Sequence, residues 1–393
     1  MFSMRLFASC LAFALSSISL CSLALSEPVS KGILERSQLN VGYTARIDQV
    51  FQSGRAGKTI SIAVIGGSIT AGAWASSPER QYGSLIADWW RKEFPKAKIE
   101  FTNAGVGATG SDYGAFRAKR DLLSRHPDFV IVEYGVNDAD TQASAETLEG
   151  LVRQILCQRQ KPAVLLLFMM YDQGGNAQNW ESKVGLYYHL PMVSYRDALW
   201  PEIQSGRMNK SDIFHDFVHP NDRGHAYAAE FITHMLTTDL AAFPAGSAIQ
   251  KIKTIPKPLF TDIYSHVHFY DAVHLKPIKN SGWILNKEGN YWMADKPGSV
   301  LECMIEGTQV DAFGFRGRGP MGRALVQVDN QSPVTLEGWF DQTWGGYITT
   351  DIVGTNLEAG KHLVKITLLQ DKAVQSAGTM FELMGLGGAG IGR

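Results

Sequence analysis

Cysteine is scarce in this sequence, and neither sign of charge is in excess. Four cysteines occur in 393 residues, and two of them, Cys10 and Cys21, lie in the apolar N-terminal segment. The other two, Cys157 and Cys303, cannot build a disulfide framework, and their apolar surroundings predict buried free thiols.

The formal net charge is −1. Because no basic excess exists to neutralise phosphates, the composition argues against a nucleic-acid-binding protein.

Long apolar runs are missing beyond the N-terminus, so no later segment is predicted to span a membrane. The N-terminus itself has Arg5, an apolar stretch over residues 6–25 and a small-residue pattern at residues 24–26. This order is typical of a secretory signal peptide over residues 1–26, and no stop-transfer charge cluster follows it. We therefore expect an exported protein, periplasmic or extracellular, without stable membrane insertion after cleavage.

The chain that remains is long enough for two domains, and its composition changes near residue 244. In residues 27–244, apolar runs alternate with helical periods, which predicts an α/β domain whose parallel sheet is covered on both faces. Residues 245–260 contain several prolines and lysines and indicate a linker. Residues 261–393 have short alternating runs separated by turn residues, which predicts an antiparallel β-sandwich.

The α/β region should begin with a helical lead-in over residues 27–59. Further predicted helices cover residues 82–93, 115–126, 145–159 and 222–237, and predicted strands cover residues 62–65, 98–102, 128–133 and 163–169. Right-handed crossovers bring the carboxyl ends of parallel strands to one edge of the sheet, where such sheets bind ligands. We therefore expect Ser68 and the loops at residues 103–110 and 135–138 to meet there.

Ser68 is the candidate nucleophile. It follows a continuous apolar run at residues 62–65 and two glycines, Gly66 and Gly67, which permit a sharp turn before a helix. A nucleophile elbow also places its serine on a sharp turn between a strand and a helix, although the G-x-S-x-G motif is absent here. The alternative is an ordinary N-cap serine.

His219 is the candidate base, and Asp216 is the candidate carboxylate that orients it. Pro220 disfavours helix at His219, so the pair should lie in a loop before the last helix, where the imidazole can reach the strand edge. The alternatives are a turn carboxylate with a surface histidine, or a zinc site that adds His215 and His225. The helix that an H-E-x-x-H zinc site needs is disfavoured by Pro220.

Two further features can supply oxyanion donors. Asn137 follows an apolar strand, and residues 103–110 form a glycine-rich loop with free backbone N–H groups. A phosphate-binding loop is the alternative, but neither the P-loop lysine nor the G-x-G-x-x-G spacing is present. Each oxyanion donor contributes about 3 to 4 kcal/mol to transition-state stabilisation.

The segments GGSIT, NAGVGATG, GVND and DFVHP, in that order, resemble the four blocks of the SGNH (GDSL-type) hydrolase family over about residues 55–240. The resemblance implies a flavodoxin-like three-layer fold and a serine esterase that uses no cofactor and no metal. Ser68 would be the nucleophile, His219 the base and Asp216 its orienter. The oxyanion hole would consist of the Ser68 N–H, the Ala108 N–H and the Asn137 side chain.

Two positions depart from the family pattern. Gly67 stands where the first block usually has an aspartate, which removes no catalytic role. Ala108 stands where the second block has its donor glycine. The Ala108 N–H is expected to remain in place only if its φ is negative, and Gly107 is the alternative donor.

The second region is similar to the galactose-binding-like jelly-roll modules attached to some carbohydrate esterases. With export, this implies a deacetylase acting on acylated carbohydrate or another small ester. Aromatic side chains that could stack on sugar rings, or pack in cores instead, are Trp74, Trp180, Trp292, Trp339 and Trp344. The alternatives are a lipase or thioesterase of the same fold, and a non-catalytic carbohydrate-binding protein.

Overall fold

The computed structural model describes residues 29–391, which form an α/β region followed by an all-β region. The predicted signal peptide, with Cys10 and Cys21, lies outside the described residues. Within the described part of the chain, no helix combines the length and apolarity that a membrane crossing requires.

The α/β region contains one mainly parallel sheet between two layers of helices. Its helices are α1 (Lys31–Ser37), α2 (Ala45–Arg55), α3 (Ser68–Ala71), α4 (Tyr82–Glu93), α5 (Ser111–Asp121), α6 (Gln142–Leu156), α7 (Gln178–Tyr187), α8 (Tyr195–Gln204) and α9 (Asp222–Ala242). Its strands are β1 (Gln38–Asn40), β2 (Ile60–Gly66), β3 (Ile99–Gly105), β4 (Phe129–Glu133), β5 (Ala163–Phe168) and β6 (Met192–Ser194). The predicted parallel α/β class is confirmed.

The strand order is β1-β6-β5-β4-β2-β3, so β2 lies inside the sheet and β3 at its edge. Strands β2, β4 and β5 are buried along their whole length, which explains their continuous apolar sequences. The lead-in differs from the predicted helix, because β1 pairs antiparallel with β6. Three residues are too few to show a period of two, so the sequence pattern could not reveal this strand.

The all-β region consists of two antiparallel sheets, which confirms the predicted sandwich class. Its strands are β7 (Val267–Asp271), β8 (Pro277–Ser281), β9 (Ile284–Asn286), β10 (Tyr291–Ala294), β11 (Val300–Gly307), β12 (Gln309–Gly317), β13 (Arg323–Val328), β14 (Val334–Glu337), β15 (Gly346–Gly354), β16 (Gly360–Leu368) and β17 (Phe381–Ala389). One sheet has the order β15-β12-β17-β10-β9, with β7 also paired to β17, and the other has the order β14-β13-β16-β11-β8. Alternate residues of both sheets fill the core between them.

The two regions share a hydrophobic interface. Phe116 of α5 packs edge-on against Phe313 of β12, with ring centroids 5.1 Å apart, and Phe269 of β7 lies 4.9 Å from Phe313. Arg120 of α5 forms a 3.0 Å ion pair with Asp271. The all-β region is therefore held against α5, the helix that follows the glycine-rich loop.

The segment between the regions is also anchored. Glu149 of α6 is fully buried, and its carboxylate accepts the backbone N–H groups of Phe260 at 2.9 Å and Thr261 at 3.2 Å. Arg153 donates to the carbonyl of Pro256 at 2.8 Å. Buried carboxylates are stable when several donors surround them, so these contacts fix the segment on α6.

The prediction of two buried thiols is wrong for Cys157. Cys303 is buried in β11, whereas Cys157 is exposed. The helical period of α6 ends at Leu156, and Cys157 is the C-cap residue, where the side chain leaves the apolar face.

Candidate active site

Ser68 lies at the carboxyl end of β2, at the start of the short helix α3. Gly67 is the N-cap residue and Ser68 the first helical residue, so the interpretation of Ser68 as an ordinary N-cap is wrong. Asn103 of β3 donates to the carbonyl of Thr70 at 2.7 Å, which ties α3 to the neighbouring strand. A side chain at Gly105 would collide with the α3 backbone, since its Cβ would lie 2.2 Å from the Ala71 nitrogen.

Ser68, His219 and Asp216 form one hydrogen-bonded series. Nε2 of His219 lies 2.9 Å from Oγ of Ser68, and Nδ1 of His219 lies 2.8 Å from Oδ2 of Asp216. The second oxygen of Asp216 accepts the backbone N–H groups of Val218 at 2.8 Å and His219 at 2.7 Å. In this geometry an imidazole can accept the proton of the serine hydroxyl while the carboxylate fixes its tautomer.

The electrostatic environment keeps Asp216 ionised. Burial of the carboxylate acts to raise its pKa, but hydrogen bonds from the His219 ring and from the backbone of His219 and Val218 outweigh this and hold the pKa below its usual range. A charged Asp216 is what an orienting carboxylate beside an imidazolium requires.

Asn137 packs directly against the residue before Ser68. A Cβ at Gly67 would lie 2.0 Å from Oδ1 of Asn137, so glycine is the residue that leaves room for this amide. The next residue, Asp138, accepts the backbone N–H of Ser111 at 2.8 Å, which fixes the Asn137 loop to the start of α5. The aspartate that the family pattern has at this position would therefore collide with the Asn137 amide where it now lies.

Ala108 adopts φ +54°, the left-handed region, so the negative φ that was stated as a condition for its role is not found. The loop keeps the backbone form that glycine adopts without cost, and an alanine there is strained. A Cβ at Gly107 would lie 4.0 Å from Cβ of Ser68, so the loop borders the serine. Ala108 and the alternative, Gly107, both stay candidates for the backbone donor.

The three histidines of the alternative zinc site have separate partners. His219 faces Ser68, His215 stacks on Trp74 with ring centroids 3.6 Å apart, and Nε2 of His225 lies 3.1 Å from the carbonyl of Ala73. Within residues 29–391, no group of three or more His, Cys, Asp or Glu side chains has a metal-binding arrangement.

Sequence reasoning missed the buried groups beneath the site. Arg117 of α5 is fully buried and donates to the carbonyls of Ala104 at 2.6 Å and Gly66 at 3.1 Å, the ends of β3 and β2. Glu133 accepts from Oγ1 of Thr70 at 3.2 Å. The sequence did offer one signal for these groups, namely a charged residue inside a segment predicted to be buried. Such a residue needs buried hydrogen-bond partners.

Burial raises the pKa of three carboxyl groups, those of Glu133, Asp138 and Glu181. It raises the pKa of Glu133 to about 8, and the nearby charge of Asp138 acts in the same direction. It also raises the pKa of Asp138 to about 7. Burial and the charge of Asp138 raise the pKa of Glu181 well above its usual range. Burial thus shifts all three carboxyl groups towards their neutral forms in the folded protein.

A cavity of about 460 Å³ is lined by two of the candidate oxyanion donors, Ala108 and Asn137. Its α/β wall includes Ala108, Asn137 and Ser144, and its opposite wall is formed by residues 347–352 of β15. The all-β region therefore borders a cavity that Ala108 and Asn137 also line.

Comparison with known proteins places the chain in a family. Residues 64–227 match the model of the GDSL-like lipase/acylhydrolase family. A structure of a two-domain esterase active on acetylated mannans, co-crystallised with mannopentaose, is 32% identical and covers 92% of this chain and 98% of its own, with a TM-score of 0.85. A second structure of a two-domain esterase active on acetylated mannans gives 32% identity, coverage of 92% and 99%, and a TM-score of 0.84. No significant match to a curated protein is found.

The fold and these similarities define an SGNH-type hydrolase with an attached β-sandwich. The chain belongs to the GDSL-like lipase/acylhydrolase family and is a carboxylic ester hydrolase. This result goes against the alternative of a non-catalytic carbohydrate-binding protein.

Proposed function

We propose that this protein is an exported serine esterase that removes acetyl groups from a mannan-type polysaccharide. The observation that carries the proposal is the hydrogen-bonded series from Ser68 through His219 to Asp216, at 2.9 Å and 2.8 Å. It lies at the sheet edge where parallel α/β folds bind their ligands.

Oγ of Ser68 attacks the acetyl carbonyl carbon while His219 accepts the hydroxyl proton. The resulting oxyanion faces the Ser68 N–H, the Asn137 side chain and the backbone N–H of Gly107 or Ala108. Collapse of this intermediate breaks the bond to the sugar oxygen, which leaves with the proton from His219. Water then attacks the acetyl-serine, gives its proton to His219, and acetate departs with Ser68 restored.

The carbohydrate assignment rests on the second region and on the similar structures. An esterase active on acetylated mannans resembles this chain over both regions, with 92% of the chain covered. Residues of β15 border the cavity beside Asn137, which gives a long substrate a second surface to contact. An exported enzyme meets such polysaccharides directly, and residues 1–26 have the pattern of an export signal.

The test is acetate release by the mature protein from acetylated mannan, acetylated xylan, a long-chain ester and a small chromogenic acetate ester. We expect cleavage of mannan and of the small acetate ester, both lost in Ser68→Ala. Preference for the long-chain ester would replace the proposal with a lipase or thioesterase. Full activity of folded Ser68→Ala would overturn the mechanism.

N-terminal sequencing of protein recovered outside the cytoplasm tests export, with a new terminus near residue 27 expected.

A further inference from the structure

Trp74 is an exposed aromatic residue in the loop directly after α3. Its side chain is 55% exposed, and one face of its ring lies flat on His215, at 3.6 Å between centroids and 13° between planes. His215 therefore covers one face of the indole, and more than half of Trp74 stays accessible to solvent.

Backbone hydrogen bonds connect the segments that carry the Trp74–His215 stack to Ser68 and His219. The backbone N–H of Ala73 donates to the carbonyl of Ser68 at 3.0 Å. On the other side, the backbone N–H of His215 donates to the carbonyl of His219 at 2.9 Å. Each ring thus belongs to a segment that is hydrogen-bonded to the backbone of one of the two residues expected to react.

The backbone at Trp74 has φ +63°, which a bulky side chain rarely adopts. Such conformations cost about 1–3 kcal/mol and persist where the surrounding structure holds them, often at ligand sites. Here Asp222 accepts the backbone N–H of Ser76 at 2.7 Å and its hydroxyl at 2.6 Å. Arg80 lies 3.5 Å from the same carboxylate, and His225 meets the Ala73 carbonyl at 3.1 Å. The loop is therefore fixed with its aromatic ring facing outward.

The other tryptophans named from the sequence lack this combination. Trp180 is half-buried and its ring is covered by Lys183, whose Nζ lies 3.2 Å from the ring centroid. Trp292 donates to the Ala272 carbonyl within the all-β region, and Trp339 is half-buried. Trp344 is 58% exposed but packs edge-on against Phe340 in the all-β region.

We propose that the free face of Trp74 stacks on a sugar ring of the bound polysaccharide, and that Trp74 determines preference for glycan over small esters. This proposal rests on the proposed function. A pyranose ring has an apolar C–H face that packs on an aromatic plane, and His215 backs the indole so that little side-chain entropy is lost on binding. A small acetate ester has no second ring to make this contact.

The experiment compares kcat and KM of wild type, Trp74→Ala and Trp74→Phe on a defined acetylated oligosaccharide of the preferred polysaccharide and on the small chromogenic ester. For Trp74→Ala we expect kcat/KM on the oligosaccharide to fall about tenfold, mainly through KM. Activity on the small ester should stay within about twofold. Trp74→Phe should recover most of the loss, because it restores an aromatic face.

Ile284→Ala is the matched control, since Ile284 is 65% exposed on the edge strand β9 at the far side of its sheet from β15. This variant should leave activity on both substrates unchanged.

Titration of Ser68→Ala and Ser68→Ala/Trp74→Ala with the oligosaccharide should show the same affinity loss without turnover. Equal losses on both substrates in Trp74→Ala would mean that the stack only holds the loop, and an unchanged oligosaccharide KM would equally overturn the proposal. Wild type inactive on every glycan but active on the small ester would instead defeat the carbohydrate function itself.

Discussion

Two segments of the chain have the same four-residue pattern and similar aspartate–histidine hydrogen bonds but different surroundings. Asp216-Phe-Val-His219 follows the α/β sheet, and Asp271-Ala-Val-His274 ends strand β7. In both, Nδ1 of the histidine bonds the aspartate, at 2.8 Å and 2.5 Å, and the histidine N–H bonds the same carboxylate. In both, hydrogen bonds outweigh burial and lower the aspartate pKa.

The two pairs differ in their exposure to solvent and in the further groups that they contact. His219 is 23% exposed at its side chain and its Nε2 faces Ser68. His274 is 74% exposed, and Asp271 turns its second oxygen to Arg120 across the interface between the regions. The local pattern creates an aspartate–histidine pair, but only the tertiary fold adds a nucleophile. The same pair is a catalytic candidate in one place and an interface contact in the other.

The largest contrast is expected from removing the two imidazoles. His219→Ala should lower kcat by about 10⁶-fold, because no base remains to accept the Ser68 proton. His274→Ala should leave kcat within about twofold. Steady-state kinetics on the small acetate ester measure both, with circular dichroism as the check on folding. Comparable losses in the two variants would remove the distinction between the pairs.

Neutralising the two carboxylates sharpens the same contrast. Asp216→Asn should lower kcat by about 10⁴-fold, since the histidine tautomer is no longer fixed. Asp271→Asn should leave kcat unchanged but lower stability by about 1 kcal/mol, because Arg120 loses a charged acceptor. Kinetics together with urea unfolding separate the outcomes. A large kcat loss in folded Asp271→Asn would show that the interface controls the site.

A smaller loss is expected on the oxyanion side. Gly67→Ala places a Cβ where the Asn137 amide now lies, so the amide must move and kcat should fall about 10²- to 10³-fold. Asn137→Ala should lose as much, and the double variant little more. Gly360→Ala is the control, because nothing lies within 4 Å of its added Cβ. Fully additive losses in the double variant would mean that Gly67 acts by another route.

The smallest expected effects are on the pH dependence of stability, and they differ in sign. The lowered pKa of Asp216 gives stability that is present above the usual aspartate pKa and lost as pH falls through the folded value. Glu133, with its pKa near 8, is favoured in its neutral form, so stability declines as pH rises from about 4 towards 8. Asp216→Asn should flatten the acidic side of a Tm–pH curve and Glu133→Gln the neutral side. The reverse assignment would contradict the protonation states described here.

The sequence predicted the parts of the molecule that local pattern determines. The buried strands, the helix over residues 82–93 and the two-region architecture are readable from apolar period and turn residues, whereas the four blocks were recognised by their resemblance to a known family. Long-range contacts left no such signal. The Trp74–His215 stack, the Glu133 carboxyl beneath α3 and the β15 wall join residues far apart in sequence. His362 is a further example, because its Nδ1 lies 2.7 Å from Oδ2 of Asp329, 33 residues earlier in the sequence.

The most direct test of the central claim is to identify the acetylated residue during turnover. The wild-type protein is mixed rapidly with the small acetate ester, quenched in acid, digested and analysed by mass spectrometry. The account predicts one acetyl group on the peptide that contains Ser68, none on that peptide in Ser68→Ala, and normal labelling in His274→Ala. Sustained acetate release by Ser68→Ala, or an acetyl group on another residue in its place, would contradict it.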